Sequence, residues 1–173
     1  MVWLLILSIF LATDTVEVKG TTGLSYRLFI NQNKLCFQYK LGKNWSEPTK
    51  LDSGNISEYS AIITAGDYLH VVWRKENSIY YITTLEPVDP SAIRQGIQPV
   101  WSEIVPISEP EQTEPASNPF VEAQGEWVYA VWRGPNQEGN SDYGEIWQRR
   151  RRMDWPVEQW TTPKNKSRII YRN

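Results

Sequence analysis

An internal repeat is the feature that most constrains how this chain folds. Segment 60–84 is similar to segment 117–151, and the two are offset by 59 residues until an insertion of eight residues in the second copy. In the best-matched part, LHVVWR at 69–74 corresponds to VYAVWR at 128–133. A partial copy precedes both. Self-similarity at a fixed period indicates equal supersecondary units that stack on their neighbours.

Each unit is predicted to contain four strands, A to D. We expect strand A at 60–65 and 119–123, strand B at 68–74 and 127–133, and strand C at 79–84 and 146–151, with strand D starting near Trp101 and Trp160. Gly66 and Gly125 fall at the A to B turns, where a tight hairpin needs a positive φ. A repeated four-stranded antiparallel unit of this length is typical of a β-propeller blade.

The predicted fold is therefore all-β, a partial propeller that would have six or seven blades if complete. The predicted segments are an apolar N-terminal segment at 1–20, a partial blade at 21–51, blades at 52–105 and 106–162, and the start of another at 163–173. Closed propellers need four to eight blades. We therefore expect the ring to be closed either by missing downstream blades or by self-association.

Composition and charge agree with this fold and exclude one class of partner. Nine Trp and nine Tyr, with eleven Pro and ten Gly for turns, favour many short strands. The formal net charge is −2, so the chain as a whole has no electrostatic attraction to nucleic acid. The single cysteine, Cys36, falls in a predicted strand and cannot form an intrachain disulfide.

The N-terminus carries an apolar run from Val2 to Ala12. Eleven residues are too few to span a bilayer as a helix, but the length is that of a secretory signal. We therefore predict a secreted, periplasmic or cell-surface protein with no membrane span. A buried first strand and a misplaced start codon are the alternatives, because no Lys or Arg precedes the run.

The order LHVVWR, then IYY at 79–81, then a turn and a Trp resembles the blades of sialidase-like, BNR-repeat (Asp-box) β-propellers over residues 24 to 162. The resemblance implies a scaffold, and propellers host many unrelated functions. Sialidases of this family bind a substrate carboxylate with three arginines and use a Tyr with a Glu and an Asp. Arg74 and Arg133 stand at matching ends of strand B, but the family's Arg-Ile-Pro motif is missing.

We predict a non-catalytic binding module that recognises a glycan or a protein partner. The alternative is a fragment of a sialidase-like exo-glycoside hydrolase. No catalytic residues, metal ligands or cofactor are assigned, and the single histidine, His70, is predicted to be structural. The predicted binding residues are arginines and aromatic residues of strands B and C: Arg74, Arg133, Trp73, Trp132, Tyr80 and Trp147.

The stretch GNSDYGEIWQRRRRMDW at 139–155 has three interpretations. Asp142, Gly144 and Trp147 match part of an Asp-box, but the repeat places Trp147 with Tyr80 inside strand C, so we expect the decayed turn near Asp154 instead. The oxygen donors between Asn136 and Glu145 could form a metal loop, but their spacing does not match an EF-hand.

The four arginines at 149–152 lie in strand C, so alternate side chains are predicted to point to opposite faces of the sheet. Either they contact an anion or glycan, or they form a solvated or ion-paired surface. The insertion at 135–143 is predicted to loop out between strands B and C.

Overall fold

A computed structural model of the protein describes residues 15–64, 66–108, 116–134 and 144–167, and in these residues it is an all-β protein of three antiparallel sheets. Sheet 1 consists of β1 (Thr15–Lys19), β2 (Ser25–Asn31), β3 (Lys34–Leu41), β4 (Asn44–Trp45) and β5 (Thr49–Ser53). The first three strands pair in chain order, and β4 and β5 both pair with β3.

Sheets 2 and 3 each have four strands paired in chain order. Sheet 2 consists of β6 (Ile56–Ile63), β7 (Leu69–Lys75), β8 (Ser78–Thr83) and β9 (Val105–Pro106). Sheet 3 consists of β10 (Ser117–Gln124), β11 (Trp127–Gly134), β12 (Glu145–Arg152) and β13 (Lys164–Asn165). One short helix, α1 (Pro90–Arg94), interrupts the connection between β8 and β9; the Asp89 side chain accepts a hydrogen bond from the Ser91 amide at its start.

The repeat alignment is confirmed by the strand register of sheets 2 and 3. Trp73 of β7 pairs with Tyr80 of β8, and Trp132 of β11 pairs with Trp147 of β12. Trp147 is therefore the counterpart of Tyr80 inside the third strand of its sheet, as predicted, and not the residue that follows an Asp-box turn.

Several predicted boundaries differ from the structure. Residues 163–173 are predicted to start another blade, but β13 pairs with β12 as the fourth strand of sheet 3. Strand A of sheet 2 begins at Ile56 rather than at 60, because it pairs along the full length of β7, with Ile56 opposite Lys75. The fourth strands begin after the tryptophan landmarks: Trp101 forms only an isolated bridge with Thr84, and Trp160 lies outside any strand.

Sheet 1 is a complete antiparallel sheet that begins at Thr15, before the start at residue 21 that the sequence predicted. Its first strand, β1, pairs over its whole length with β2, where Val16 lies opposite Leu28 and Val18 opposite Tyr26. Residues 1–14, with the whole apolar run, lie outside the described residues.

The core lies between consecutive sheets. One set of buried apolar residues joins sheets 1 and 2, including Leu28, Leu35 and Trp73, and another joins sheets 2 and 3, including Val72 and Ala130. The first strands also contact one another in series, β1 with β6 and β6 with β10. Sheet 2 therefore packs against sheet 1 with one face and against sheet 3 with the opposite face. No helix among the described residues is long and apolar enough to cross a membrane.

Candidate functional site

The two arginines singled out in the sequence occupy equivalent positions. Arg74 is the last residue but one of β7 and Arg133 the last but one of β11. Arg74 lies opposite Ile79 and Arg133 opposite the equivalent Ile146. We call the end of the sheets marked by Arg74 and Arg133 the upper rim.

The aromatic residues predicted to bind with them point to the other face of each sheet. Neighbouring residues in a strand alternate between faces, so Trp73 faces away from Arg74. Trp73 is 0% exposed between sheets 1 and 2, and Trp132 is 1% exposed between sheets 2 and 3, where Trp147 is also buried. Of the six predicted residues, a ligand can therefore reach Arg74, Arg133 and the half-buried Tyr80, but not the buried indoles of Trp73, Trp132 and Trp147.

Trp73 organises a polar cluster that joins sheets 1 and 2 at the upper rim. Its indole Nε1 donates to Asp52 Oδ2 at 3.0 Å, and Lys75 Nζ lies 3.1 and 3.2 Å from the two oxygens of the same carboxylate. The Tyr80 ring stacks on Trp73 with 6.0 Å between centroids, and Lys75 Nζ lies 5.8 Å from the Tyr80 centroid. The Asp52 carboxylate is thus already paired with a cation, and Tyr80 is half-buried.

Arg74 takes part in a second link, between sheets 2 and 3. Its guanidinium lies 3.7 Å from Glu58 Oε1 and its Nε donates to the Glu76 carbonyl at 2.9 Å. Glu58 Oε2 also accepts the backbone amide of Asn118 at 2.6 Å, at the start of β10. Arg133 is exposed on the face of sheet 3 that points away from sheet 2. The structure therefore places the two arginines on successive faces, with a whole sheet between them.

A buried polar network crosses from sheet 2 to sheet 3. His70 Nδ1 lies 2.7 Å from the Tyr81 hydroxyl and 3.0 Å from the Thr83 hydroxyl, and Arg151 Nη1 donates to the Tyr81 hydroxyl at 3.2 Å. Arg151 Nη2 also donates to the Trp155 carbonyl. Burial, with a smaller effect of the nearby Arg151 charge, lowers the pKa of His70 from 6.5 to about 3. His70 is therefore neutral and enclosed in the folded protein, and its structural role stays a prediction.

The arginine run divides as strand alternation predicts, but one member is not on the surface. Arg152 forms ion pairs with Glu126 and Asp154, both at 3.1 Å, and Arg150 stacks on the Trp127 ring at 4.2 Å from its centroid. Arg151 is only 3% exposed. The prediction of a solvated or ion-paired surface is wrong for Arg151, because its strand position shares a face with the buried Trp147.

Most of the proposed metal loop, including Asp142, lies at 135–143, outside the described residues. Of its donors only Glu145 is described, and it is buried and accepts a hydrogen bond from the side-chain Nδ2 of Asn165. Within the described ranges no three His, Cys, Asp or Glu side chains are placed to share a metal ion. Cys36 lies in β3, as predicted, and burial raises the pKa of its thiol.

The sequence pattern did not reveal Asp52, Glu58 or the partners of His70. A signal for the partners of His70 is present in the sequence, because the strand pattern places His70 opposite Thr83 and puts Arg149 and Arg151 on the same face as Trp147. Asp52 and Glu58 lie outside the matched motif, and only the stacking of sheets brings them to the strand ends of their neighbours, at Lys75 and Asn118.

No model of a known protein family matches the chain, and no curated protein is detectably similar to it. The class that the fold defines is an all-β protein of consecutive antiparallel sheets packed face to face. Its upper rim carries arginine, lysine and tyrosine side chains.

Proposed function

We propose that the three sheets are successive blades of a partial β-propeller and that the protein is a non-catalytic module that binds a glycan or protein partner at the upper rim. One observation carries this proposal: sheet 1 packs on sheet 2 as sheet 2 packs on sheet 3, with equivalent strand faces in contact. A repeated face-to-face step of this kind is the building rule of propellers.

The upper rim supports a binding role because it gathers groups suited to polar ligands. Tyr80 offers a partly exposed ring beside Lys75 on the side of sheet 2 that faces sheet 1, and Arg133 is exposed at the same end of the outer face of sheet 3. Aromatic rings and arginines are the side chains most often used to anchor ligands. Arg74 is less available, since it is held by Glu58 and a backbone carbonyl.

The face of sheet 3 that points away from sheet 2 would receive the next blade. The residues on this face are equivalent to the residues that sheet 2 buries against sheet 3. Val131, for example, corresponds to Val72. Phe120, opposite Val131, is 40% exposed. Under the proposal this face is covered by a further blade, supplied by a longer chain or by another copy, and Arg133 at its upper end stays reachable to the extent that the equivalent Arg74, 24% exposed beside sheet 3, does. Export stays a prediction, because the whole apolar run lies outside the described residues.

The test is glycan-array binding of the purified protein, followed by the variants Arg133→Ala and Tyr80→Ala. The proposal expects binding that both variants weaken, whereas Arg150→Ala, an exposed arginine away from the rim, leaves it unchanged. A fluorogenic sialoside assay tests the alternative. Turnover that Arg74→Ala or Arg133→Ala abolishes would establish a glycoside hydrolase and overturn the non-catalytic proposal.

A further inference from the structure

The outer faces of sheets 1 and 3, which point away from sheet 2, carry residues equivalent to those buried where two sheets meet. Phe29, Trp73 and Trp132 each stand two residues before the end of the second strand of their sheet. Both tryptophans are buried against the preceding sheet. Phe29 is half-buried and points away from Leu28, which packs toward sheet 2. Sheet 1 therefore presents the aromatic position of a junction between sheets on its outer face.

The outer face of sheet 3 presents the other half of such a junction. Val131 corresponds to Val72, which is 0% exposed between sheets 2 and 3. Val131 itself is half-buried, and Phe120, opposite it in β10, is 40% exposed. Ile146, opposite Arg133, continues the apolar strip to the upper rim. An exposed apolar strip bordered by polar residues is typical of a surface that packs against another protein surface.

The two outer faces also carry complementary charges at equivalent positions. In the junction between sheets 2 and 3, Arg151 reaches across to the Tyr81 hydroxyl at 3.2 Å. Lys40 holds the place of Arg151 in the third strand of sheet 1. On the outer face of sheet 3, the place of the apolar Ile62 is taken by the exposed carboxylate of Glu122. The stacking step that joins sheets 2 and 3 would thus bring Lys40 of one face toward Glu122 of the other.

The other polar side chains around Phe29 are held within the outer face of sheet 1. Arg27 Nε donates to Gln38 Oε1 at 2.8 Å, and the guanidinium stacks on the Trp45 ring at 4.3 Å from its centroid. Glu17 lies opposite Arg27 in β1. Because Arg27 already has partners in its own sheet, an approaching sheet meets a paired cation and the aromatic ring of Phe29.

The number of sheets decides what can cover both faces at once. Closed propellers have four to eight blades. The three sheets of one chain are too few, two copies of three sheets make six, and three copies make nine. Two copies related by a twofold axis form two identical junctions, and in each of them sheet 3 of one copy meets sheet 1 of the other.

We propose that two copies of the chain close a ring of six sheets, with the outer face of sheet 3 of each copy packed on the outer face of sheet 1 of the other. The inference rests on the proposed function, because it takes the sheets as blades, and it names what covers sheet 3. Phe29 of one copy then packs on Val131 and Ile146 of the other, as Trp132 packs on sheet 2. The upper rim beside Arg133 is completed by the partner copy.

The experiment is sedimentation velocity of the full chain and of the variants Phe29→Asp and Val131→Asp, one on each face of the junction. Both side chains are half-buried, so thermal unfolding checks that each variant keeps its fold. Val100→Asp is the matched control, because Val100 is 56% exposed in the β8 to β9 connection and belongs to neither outer face. A mixture of the two junction variants tests whether the contact joins two different faces.

We expect the chain to sediment at twice its mass of 20.1 kDa. Each junction variant should raise the dissociation constant of the dimer about 100-fold or more, because it places an unpaired carboxylate in an apolar contact. Val100→Asp should leave that constant unchanged. The mixture should contain heterodimers, because one of its two junctions combines the two unaltered faces.

The proposal is overturned if the chain is monomeric at about 100 µM, if only one of the two junction variants dissociates the dimer, or if the mixture contains no heterodimer. Failure here is distinguishable from failure of the proposed function. A monomeric chain whose array ligands depend on Arg133 and Tyr80 would leave binding at the upper rim standing and remove the ring of two copies.

Discussion

Stability between neutral and mildly acidic pH should be controlled by one residue. His70 is the only histidine of the chain, so no other side chain has an ordinary pKa near 6.5. In the folded protein its pKa is lowered from 6.5 to about 3, first by burial and second by the charge of Arg151. The folded state therefore holds the neutral ring, and the unfolded state takes up a proton as the pH falls through 6.5.

The sign and size follow from these two pKa values. The folded state's advantage is fully present above pH 6.5 and is lost progressively as the pH falls towards about 3, where the folded state also becomes protonated. Each pH unit inside this window costs about 1.4 kcal/mol of unfolding free energy. Lowering the pH from about 7.5 to about 5 should thus cost about 2 kcal/mol, before most carboxylates begin to titrate.

The assay is urea unfolding of the protein and of His70→Asn at several pH values across this range. Asparagine keeps a polar group near the position of Nδ1 but cannot ionise, so the variant should be less stable at neutral pH and nearly independent of pH down to about 5. NMR titration of the His70 ring reports its pKa directly. Parallel pH profiles for the two proteins, or a folded-state pKa near 6.5, would refute the reasoning.

Three further predictions use other parts of the structure. Arg151→Met should raise the pKa of His70 by removing the adjacent charge, as followed by NMR, whereas Arg150→Met, on the exposed face, should not. Asp52→Asn should lower the unfolding free energy by about 1–3 kcal/mol in urea titrations, because the buried Trp73 indole and the Lys75 ammonium lose their anionic acceptor. Gly134→Ala should cost about 1–3 kcal/mol in the same assay, because its Cβ would lie 2.7 Å from the ring of a buried tryptophan; unchanged stability would mean that this indole can move aside.

Many strand bounds could be predicted, because the internal repeat shows which residues of one sheet are equivalent to which residues of the next. Strands β7, β11 and β12 lie within one residue of their predicted bounds. The fourth strands could not be predicted equally well, because they are only two residues long in sheets 2 and 3 and the tryptophans near them serve packing instead. Trp160, for example, packs edge-on against Tyr81, with centroids 4.9 Å apart.

The candidate site was less predictable, and the reason is physical. Adjacent Trp and Arg residues in a strand suggest a single binding site. Because side chains alternate along a strand, however, Trp73 lies in the core and Arg74 on the opposite face of the sheet. The same alternation predicts the division of the arginines at 149–152. In both B strands it likewise separates the indole from the guanidinium group, so this part of the arrangement follows from the amino-acid sequence.

The sequence alone could not predict the hydrogen bonds that form where neighbouring sheets stack. Asp52 of sheet 1 accepts hydrogen bonds from Trp73 and Lys75 of sheet 2, and Glu58 of sheet 2 accepts one from the backbone amide of Asn118 in sheet 3. Each of these contacts joins two neighbouring sheets. Such contacts link residues 21 to 60 positions apart, so neither partner carries a local signature. Because these polar links lie at the junctions between neighbouring sheets, they engage strand-end side chains that the sequence motif alone would have left without partners.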